Sequence, residues 1–280
     1  MERNVIRRKA IEPKSRPDAE PRDGGVQSVD RALQIIETLA EDDEGYRLCD
    51  LAVRTGLSTS TAHRLLATLE KRRFVQFDRT ESKWHVGAQS FSVGATFARR
   101  RNFVAQAMPY LRKLRDQTRE TANLAVVDDE KIIVLNRMES REIMRSLTKV
   151  GGRVAMVASG VGKAVLATYS DEDVNAIIRH HGMPRLTEKS IVRPSDLFRE
   201  LERIRNQGYA VDDEEACMGL RCIAAVVYND CSEPLAAISV SGMTSRVTDG
   251  RLPALGRTVR EVAAELTIAL GGVVPAAKSS

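Results

Sequence analysis

In three blocks between Val29 and Leu69 the apolar positions recur at steps of three and four, the spacing of amphipathic helices. Val29, Ala32, Leu33, Ile36, Leu39 and Ala40 form the first stripe, which begins at Gln27 or Ser28 and takes Ser28 as its cap. Leu48, Leu51 and Ala52 form the second, and Gly56 is placed to end it, because a residue without Cβ takes the left-handed conformation cheaply. Ser58 or Thr59 then caps the third, whose inner side is Ala62, Leu65, Leu66 and Leu69 and whose opposite side is Ser60, Arg64, Ala67 and Lys71. Two short helices around a Gly56-Leu57-Ser58 turn, the second outwardly small and basic, describe a helix-turn-helix. The period then changes from 3.6 to 2: RRFVQFDRTESKWHVG reads as two strands around a polar turn at Asp78 to Ser82, a hairpin wing.

Farther along, Gly87 to Arg101 reads as a connecting helix with Phe91, Val93 and Phe97 on one side, more apolar than a solvated linker requires and therefore a candidate dimer contact. Phe103 to Arg119 is amphipathic, and Thr121 to Val127 and Lys131 to Met138 read as strands around an Asp128-Asp129-Glu130 turn. Helices are predicted at Ser159 to Thr168 and Asp171 to His181. Another is capped by Ser195, turns Phe198, Leu201 and Ile204 inward and ends at Gly208. Strands follow at Tyr209 to Val211, Arg221 to Tyr228 and Leu235 to Ser241, and a closing helix carries Leu252, Leu255, Val259, Val262, Leu266 and Leu270. Strands interleaved with helices and closing in a hairpin predict an α+β sensor domain rather than a doubly wound parallel sheet. The expected division is a disordered basic arm (1–26), a winged helix-turn-helix (27–86), a linker helix (87–101), a second domain (102–272) and a flexible tail (273–280).

The net charge of +5 on 280 residues is too modest to argue for nucleic acid by itself, but its distribution is not uniform. Asp30 to Asp50 holds seven acidic and two basic residues, and Arg54 to Lys83 holds seven basic and three acidic. A small domain with an acidic back and a basic front orients itself on a polyanion. On such a domain Thr59, Ser60, Thr61, His63 and Arg64 present the first turns of a recognition helix to base edges, Lys71 lies on its outer face, and Arg79 and Lys83 on the wing suit phosphate. No apolar run approaches the roughly 20 residues of a membrane helix, and the first residues lack the apolar core of a signal peptide, so a cytoplasmic protein is expected. Four cysteines without a CxxC pair predict reduced thiols rather than disulfides or a zinc site.

Candidate chemistry lies in the second domain. Ser159-Gly160-Val161-Gly162 opens a helix with unobstructed backbone amides, a potential anion site. Ser239 and Ser241 share one side of a strand that would ordinarily carry Val or Ile there, which implies either a polar pocket or hydroxyls bonded to nearby backbone. Enzyme readings fail on spacing: Gly160 to Lys163 superficially resembles a phosphate loop, but Val157 stands where the first Gly belongs and Ala164 where Ser or Thr belongs. Neither His180-His181 nor Asp212 to Glu215 has the i, i+4 spacing of a metal site, and no third ligand is evident. No cofactor is expected.

The segments QSVDRALQIIETLA, LAVRTGLSTSTAHRLLATLE, MVASGVGKAVLA, YAVDDEEACMGLRCIAAVVYN and AAISVSG resemble the IclR family of bacterial transcriptional regulators, over nearly all of Gln27 to Leu270. The resemblance implies a winged helix-turn-helix followed by a GAF-like effector domain, a homodimer or dimer of dimers acting on operator DNA, and no catalysis. The chain is most similar to the glyoxylate-responsive members. By that resemblance the effector meets the backbone amides of Gly160 and Val161, with Asp212, Cys222, Ser239 and Ser241, inside a rim of Ile143, Val154 and Leu220. Ser146 departs from the closest relatives, which carry Met there, and a smaller polar residue widens the rim. A larger carboxylic acid, aromatic or from the allantoin pathway, is the alternative effector.

Overall fold

The computed structural model describes residues 25–100, 103–140 and 149–275, and the chain divides into two compact units between Val93 and Gly94. The first 24 residues of the basic arm (1–26) and the last five residues of the tail lie outside the described residues, as do the rim positions Ile143 and Ser146.

The first unit runs α1 (Gln27–Leu39), α2 (Leu48–Thr55), α3 (Thr59–Lys71), β1 (Val75–Asp78), β2 (Lys83–Val86) and the start of α4 (Ala88–Arg100). Its core is Ile35, Leu39, Tyr46, Leu51, Leu66, Val75 and Trp84. The α1 stripe is therefore rotated from the one read in sequence: Ile35 and Leu39 are inside, whereas Val29 and Leu33 are more than half exposed. Two apolar arcs compete on this helix, and the one reaching Tyr46, Leu51 and Trp84 wins the core. Ser28 is not a cap either, because α1 starts one residue earlier behind Val26, which offers no side-chain bond. Gly56 ends α2 at φ 66° as its position demanded, and Ser58 caps α3 by accepting the Thr61 amide at 3.2 Å.

The second unit contains α5 (Phe103–Thr118), β3 (Thr121–Asp128), β4 (Lys131–Met138), β5 (Arg153–Ala155), α6 (Gly160–Leu166), α7 (Asp171–His181), α8 (Pro194–Gln207), β6 (Ala210–Asp213), β7 (Leu220–Tyr228), β8 (Pro234–Met243) and α9 (Leu252–Ala269). The six strands form one antiparallel sheet in the order β5-β4-β3-β8-β7-β6. Alternation along each strand sends side chains to two separate cores. Leu124, Ile223, Ala225, Ile238 and Val240 pack with α5 and α9, while Ala125, Ala224, Val226 and Ala237 pack with residues of α6, α7 and α8. This is the α+β architecture expected from the interleaved periodicities.

Four details differ from the sequence reading. The three-residue edge strand β5 is too short to leave a period and was not predicted. Ser195 is not the cap of α8. Pro194 occupies its first turn behind Arg193, a position that suits a residue with no N–H and a fixed φ. Phe198 is only partly buried, and Leu197 takes its place inside with Leu201 and Ile204. At the chain's far end Val273 donates its amide to the Asn229 carbonyl at 3.0 Å, so the described part of the tail is tied to the β7–β8 turn.

Candidate DNA-reading surface and small-molecule site

On α3 the side chains of Thr59, Ser60, His63, Arg64 and Lys71 are exposed, and Thr61 is half-buried. Thr61 is drawn into the cap, its hydroxyl 2.8 Å from that of Ser58, whose hydroxyl also lies 3.1 Å from Ser60. Capping thus orients two of the first-turn hydroxyls and fixes the helix start from which Arg64 projects. The Thr68 hydroxyl donates to the Arg64 carbonyl at 2.9 Å, so it is turned back onto the helix. His63 faces the hairpin across a shallow depression shared with Ala67, Phe77, Arg79 and Trp84.

The hairpin pairs Val75 with Val86 through Asp78 with Lys83, and Phe77 packs on Trp84 with ring centroids 4.9 Å apart and the rings tilted by 46°. Asp78 closes its turn by accepting the amides of Thr80 at 2.7 Å and Glu81 at 3.2 Å, and these two bonds hold its carboxyl below the usual range. The turn residue Arg79 is exposed. Lys83 is a strand residue rather than a tip residue, and its ammonium is 3.1 Å from Glu81 and 3.8 Å from Glu44. Arg54, counted with the basic segment, lies over the Tyr46 ring and 3.8 Å from Glu41. The basic front is therefore narrower than the charge count suggests: Arg64 and Lys71 on α3, the exposed Arg72 and Arg73 that follow it, and Arg79 carry it.

In the second unit the α6-facing side of the sheet turns polar at one end. Register places Asn123 opposite Ser239 and Thr121 opposite Ser241 on one flank, with Cys222 opposite Ser241 and Asp212 opposite Cys222 on the other. Ser239 and Ser241 are buried, and the question left open by their spacing resolves toward side chains: Asn123 Nδ2 donates to Ser241 at 3.3 Å and to Ser239 at 3.4 Å. Arg137 on β4 donates through Nε to Asn123 Oδ1 at 3.1 Å, which orients the amide. Asn123 and Arg137 are members of this cluster that sequence reading missed. The signal was a lone amide in the apolar run TANLAVV, legible only once strand pairing is known.

The helix α6 closes over this patch. A Cβ on Gly160 would lie 3.0 Å from the Cys222 carbonyl and 3.3 Å from its sulfur, so the absence of a side chain lets the helix start rest on β7. A Cβ on Gly162 would meet the Met156 carbonyl at 2.1 Å. Ser159 caps α6, taking the Gly162 amide at 3.0 Å on its hydroxyl and the Lys163 amide at 2.9 Å on its carbonyl. The amides of Gly160 and Val161 are the first-turn donors outside that cap.

Burial, reinforced by the Glu215 charge, pushes the Asp212 carboxyl up to about 6, although the amides of Glu215 at 2.8 Å and Ala216 at 3.3 Å donate to it. Burial, with Asp212 beside it, pushes the Cys222 thiol up to about 11. Cys222 is thus a neutral S–H group and not a nucleophile. Beneath Asp212, the fully buried Lys163 donates to the Val211 carbonyl at 2.7 Å, makes a short bond to Glu215, and stands 3.8 Å from Glu200. Burial raises the Glu215 carboxyl, whose Oε2 has no hydrogen-bond partner. Lys163 and Glu215, read in sequence only as a failed phosphate loop and part of an acidic run, hold the β6 end of the patch.

The structure therefore brings together Gly160, Val161, Asp212, Cys222, Ser239 and Ser241, with Leu220 two residues before Cys222 on the same side of β7. Val154 is elsewhere. It pairs with Ile132 on the edge strand β5 and lines a different cleft with Glu130 and His181. Strand order puts β4 and β3 between β5 and the two serines, so the structure does not bring Val154 beside them, although it packs against the α6-side core that contains Val161.

Residues 28–79 match the IclR helix-turn-helix domain, and residues 95–268 match the family described as bacterial transcriptional regulator IclR C-terminal. The chain is 41% identical over 254 residues to the acetate operon repressor of Salmonella typhimurium strain LT2, covering 90% of this chain and 93% of that one. It is 40% identical over 255 residues to the transcriptional repressor IclR of Escherichia coli strain K12, with the same two coverages. A crystal structure of an IclR transcriptional regulator from Alicyclobacillus acidocaldarius superposes with a TM-score of 0.75 at 25% identity, covering 89% of this chain and all of that one. No described helix is long and apolar enough to cross a membrane. With both of its units matched in order and along most of its length, the chain belongs to the IclR family: it is a DNA-binding transcriptional regulator and not an enzyme.

Proposed function

We propose that this regulator changes its operator affinity on binding a small 2-oxo acid, glyoxylate above all, at the polar end of the sheet beneath α6. The observation that carries the proposal is the pair of buried hydroxyls, Ser239 and Ser241, both bonded to one amide and both beside a neutral thiol. A compact carboxylate needs several aligned donors in little volume, and small Ser, Cys and Gly residues supply them. The carboxylate meets the amides of Gly160 and Val161, and the hydroxyls and Cys222 donate to the remaining oxygens. Asp212 accepts from the hydrated aldehyde, since an ionised carboxylate beside an anion is otherwise unfavourable.

The DNA-binding form is a homodimer, on which two recognition helices read a pseudo-palindromic site. Exposed Val29 and Leu33 on α1, and Phe91 and Val93 on α4, supply apolar surface for that contact and explain why these residues are not in the core. A mobility shift on the DNA upstream of the protein's own gene, with and without glyoxylate, tests the reading. Glyoxylate is expected to move the midpoint by about 5–150-fold, the range of a typical coupling free energy. A midpoint that stays fixed at saturating glyoxylate while another acid moves it overturns the effector assignment.

Arg64 is the base-reading residue to test first. Its place on the exposed side of a capped α3 suits a bidentate pair with guanine, so Arg64→Ala is expected to cost about 1–3 kcal/mol at one operator position. Binding to a panel of single-base operator variants distinguishes the roles: equal weakening on every sequence would make Arg64 a phosphate contact instead.

A further inference from the structure

We propose a surface site for a divalent transition-metal ion, of the zinc class, formed by Glu130, His180 and His181. The two histidines alone, adjacent in sequence, offer no third ligand. The fold supplies one from 50 residues away: Glu130 Oε2 lies 2.8 Å from His180 Nδ1 and 2.8 Å from His181 Nε2, and all three ligand atoms fall within 4.8 Å of one another.

Each partner is held by its own element. Glu130 occupies the two-residue turn between β3 and β4, where it and Asp129 take φ of 56° and 49°. A carboxylate-bearing side chain in that conformation is uncommon, and a two-residue hairpin turn imposes it at both positions. His180 and His181 are the last two residues of α7, stopped by Gly182, with ring centroids 4.4 Å apart. Carbonyl groups at a helix C-terminus favour a cation there. Hydrogen bonding to His180, and then His181, holds the Glu130 carboxyl below its usual range.

The chemistry selects the class of ion. Two imidazoles and one carboxylate suit zinc and its neighbours, whereas calcium and magnesium require oxygen donors throughout. At metal–ligand distances of 2.0–2.1 Å, tetrahedral ligands stand about 3.3 Å apart. The two observed 2.8 Å separations from Glu130 therefore have to open by about 0.5 Å to admit the ion, with the two imidazole nitrogens, which lie within 4.8 Å of one another, brought to the same spacing. Three protein ligands leave the fourth position to solvent or to an anionic group in the adjoining cleft of about 330 Å³, whose wall carries Lys131, Arg153, Val154 and Met156 beside His181. The His180 side chain is 70% exposed, so the ion has a route in.

The test is zinc titration of the full-length, chelator-stripped protein against a chromophoric competitor, with cobalt as a spectroscopic substitute. Expected is one ion per chain at micromolar affinity or tighter, weakened at least about 100-fold in the double variant His180→Ala with His181→Ala, and weakened less in Glu130→Gln. Cobalt should give weak visible bands without the intense near-ultraviolet absorption of a thiolate, which separates this site from Cys49, Cys217 and Cys231. Unchanged affinity in the double variant, a thiolate-type cobalt spectrum, or binding no tighter than millimolar overturns the proposal. Circular dichroism and an unchanged melting temperature establish that the variants are folded. Glyoxylate response plays no part in this readout, so the two proposals stand or fall separately.

Discussion

Replacing Ser239 and Ser241 together with alanine is expected to remove measurable glyoxylate binding while leaving the affinity of the ligand-free protein for its operator intact. A hydrogen bond to a charged group contributes about 1.5–3 kcal/mol, so two lost donors weaken a carboxylate by about 10²–10⁴-fold. The surrounding architecture does not depend on them to the same degree. Both serines lie on the central strand β8, whose ladder to β3 and β7 is made by backbone, and Ile238 and Val240 keep the opposite core. What the variant does leave behind is Asn123 Nδ2 without its two acceptors. Calorimetry on the folded variant gives the answer directly, and glyoxylate affinity equal to that of the parent would remove the serines from the site.

Lys163→Met is expected to cost about 3–5 kcal/mol of stability, the range for stripping one partner from a buried ion pair. The Lys163 ammonium has no exposure and three acceptors around it, Val211 O, Glu215 and Glu200. Without it Glu215 is a buried charge whose second oxygen already lacks a partner. The pH dependence has a definite sign. Burial raises the Glu215 carboxyl in the folded state, so folding is accompanied by proton uptake, and its contribution is most favourable at low pH and falls as pH rises through the folded value. Removing Lys163 takes away an influence that lowers that value, so the deficit should be largest at alkaline pH and shrink on acidification. Adding Glu215→Gln to Lys163→Met should recover part of the loss, because no charge is then stranded. Urea unfolding at two pH values checks all three points; additive losses in the double variant would mean that the pair is not coupled.

What could be read in the sequence follows from which forces are local. The bounds of α7, the αL stop at Gly56 and the alternation of β8 are set by period and by single-residue conformational preference, and they came out of the chain directly. Choices between equally apolar arcs did not: which side of α1 faces inward is decided by Tyr46, Leu51 and Trp84, residues contributed by other segments. Caps were misplaced where a serine stood near a helix start but the backbone began its turn earlier, as at Ser28 and Ser195. For the candidate site, the glycines and serines announce themselves as the wrong residues for a core. Asn123, Arg137 and Lys163 do not, because their roles exist only through strand register and through what lies beneath a helix.

The two glycines of α6 restrict how this scaffold could be redesigned for another ligand. Gly160 already rests against Cys222, and Gly162 leaves no room for even a methyl group before the Met156 backbone, so this wall cannot be trimmed further. Selection or engineering for a bulkier effector would have to gain its volume from the sheet, by shortening Asn123, Leu220 or the residues around Ser239 and Ser241. Variant libraries confined to the helix would search a wall with nothing left to remove, and libraries on β3, β7 and β8 are where altered specificity should emerge.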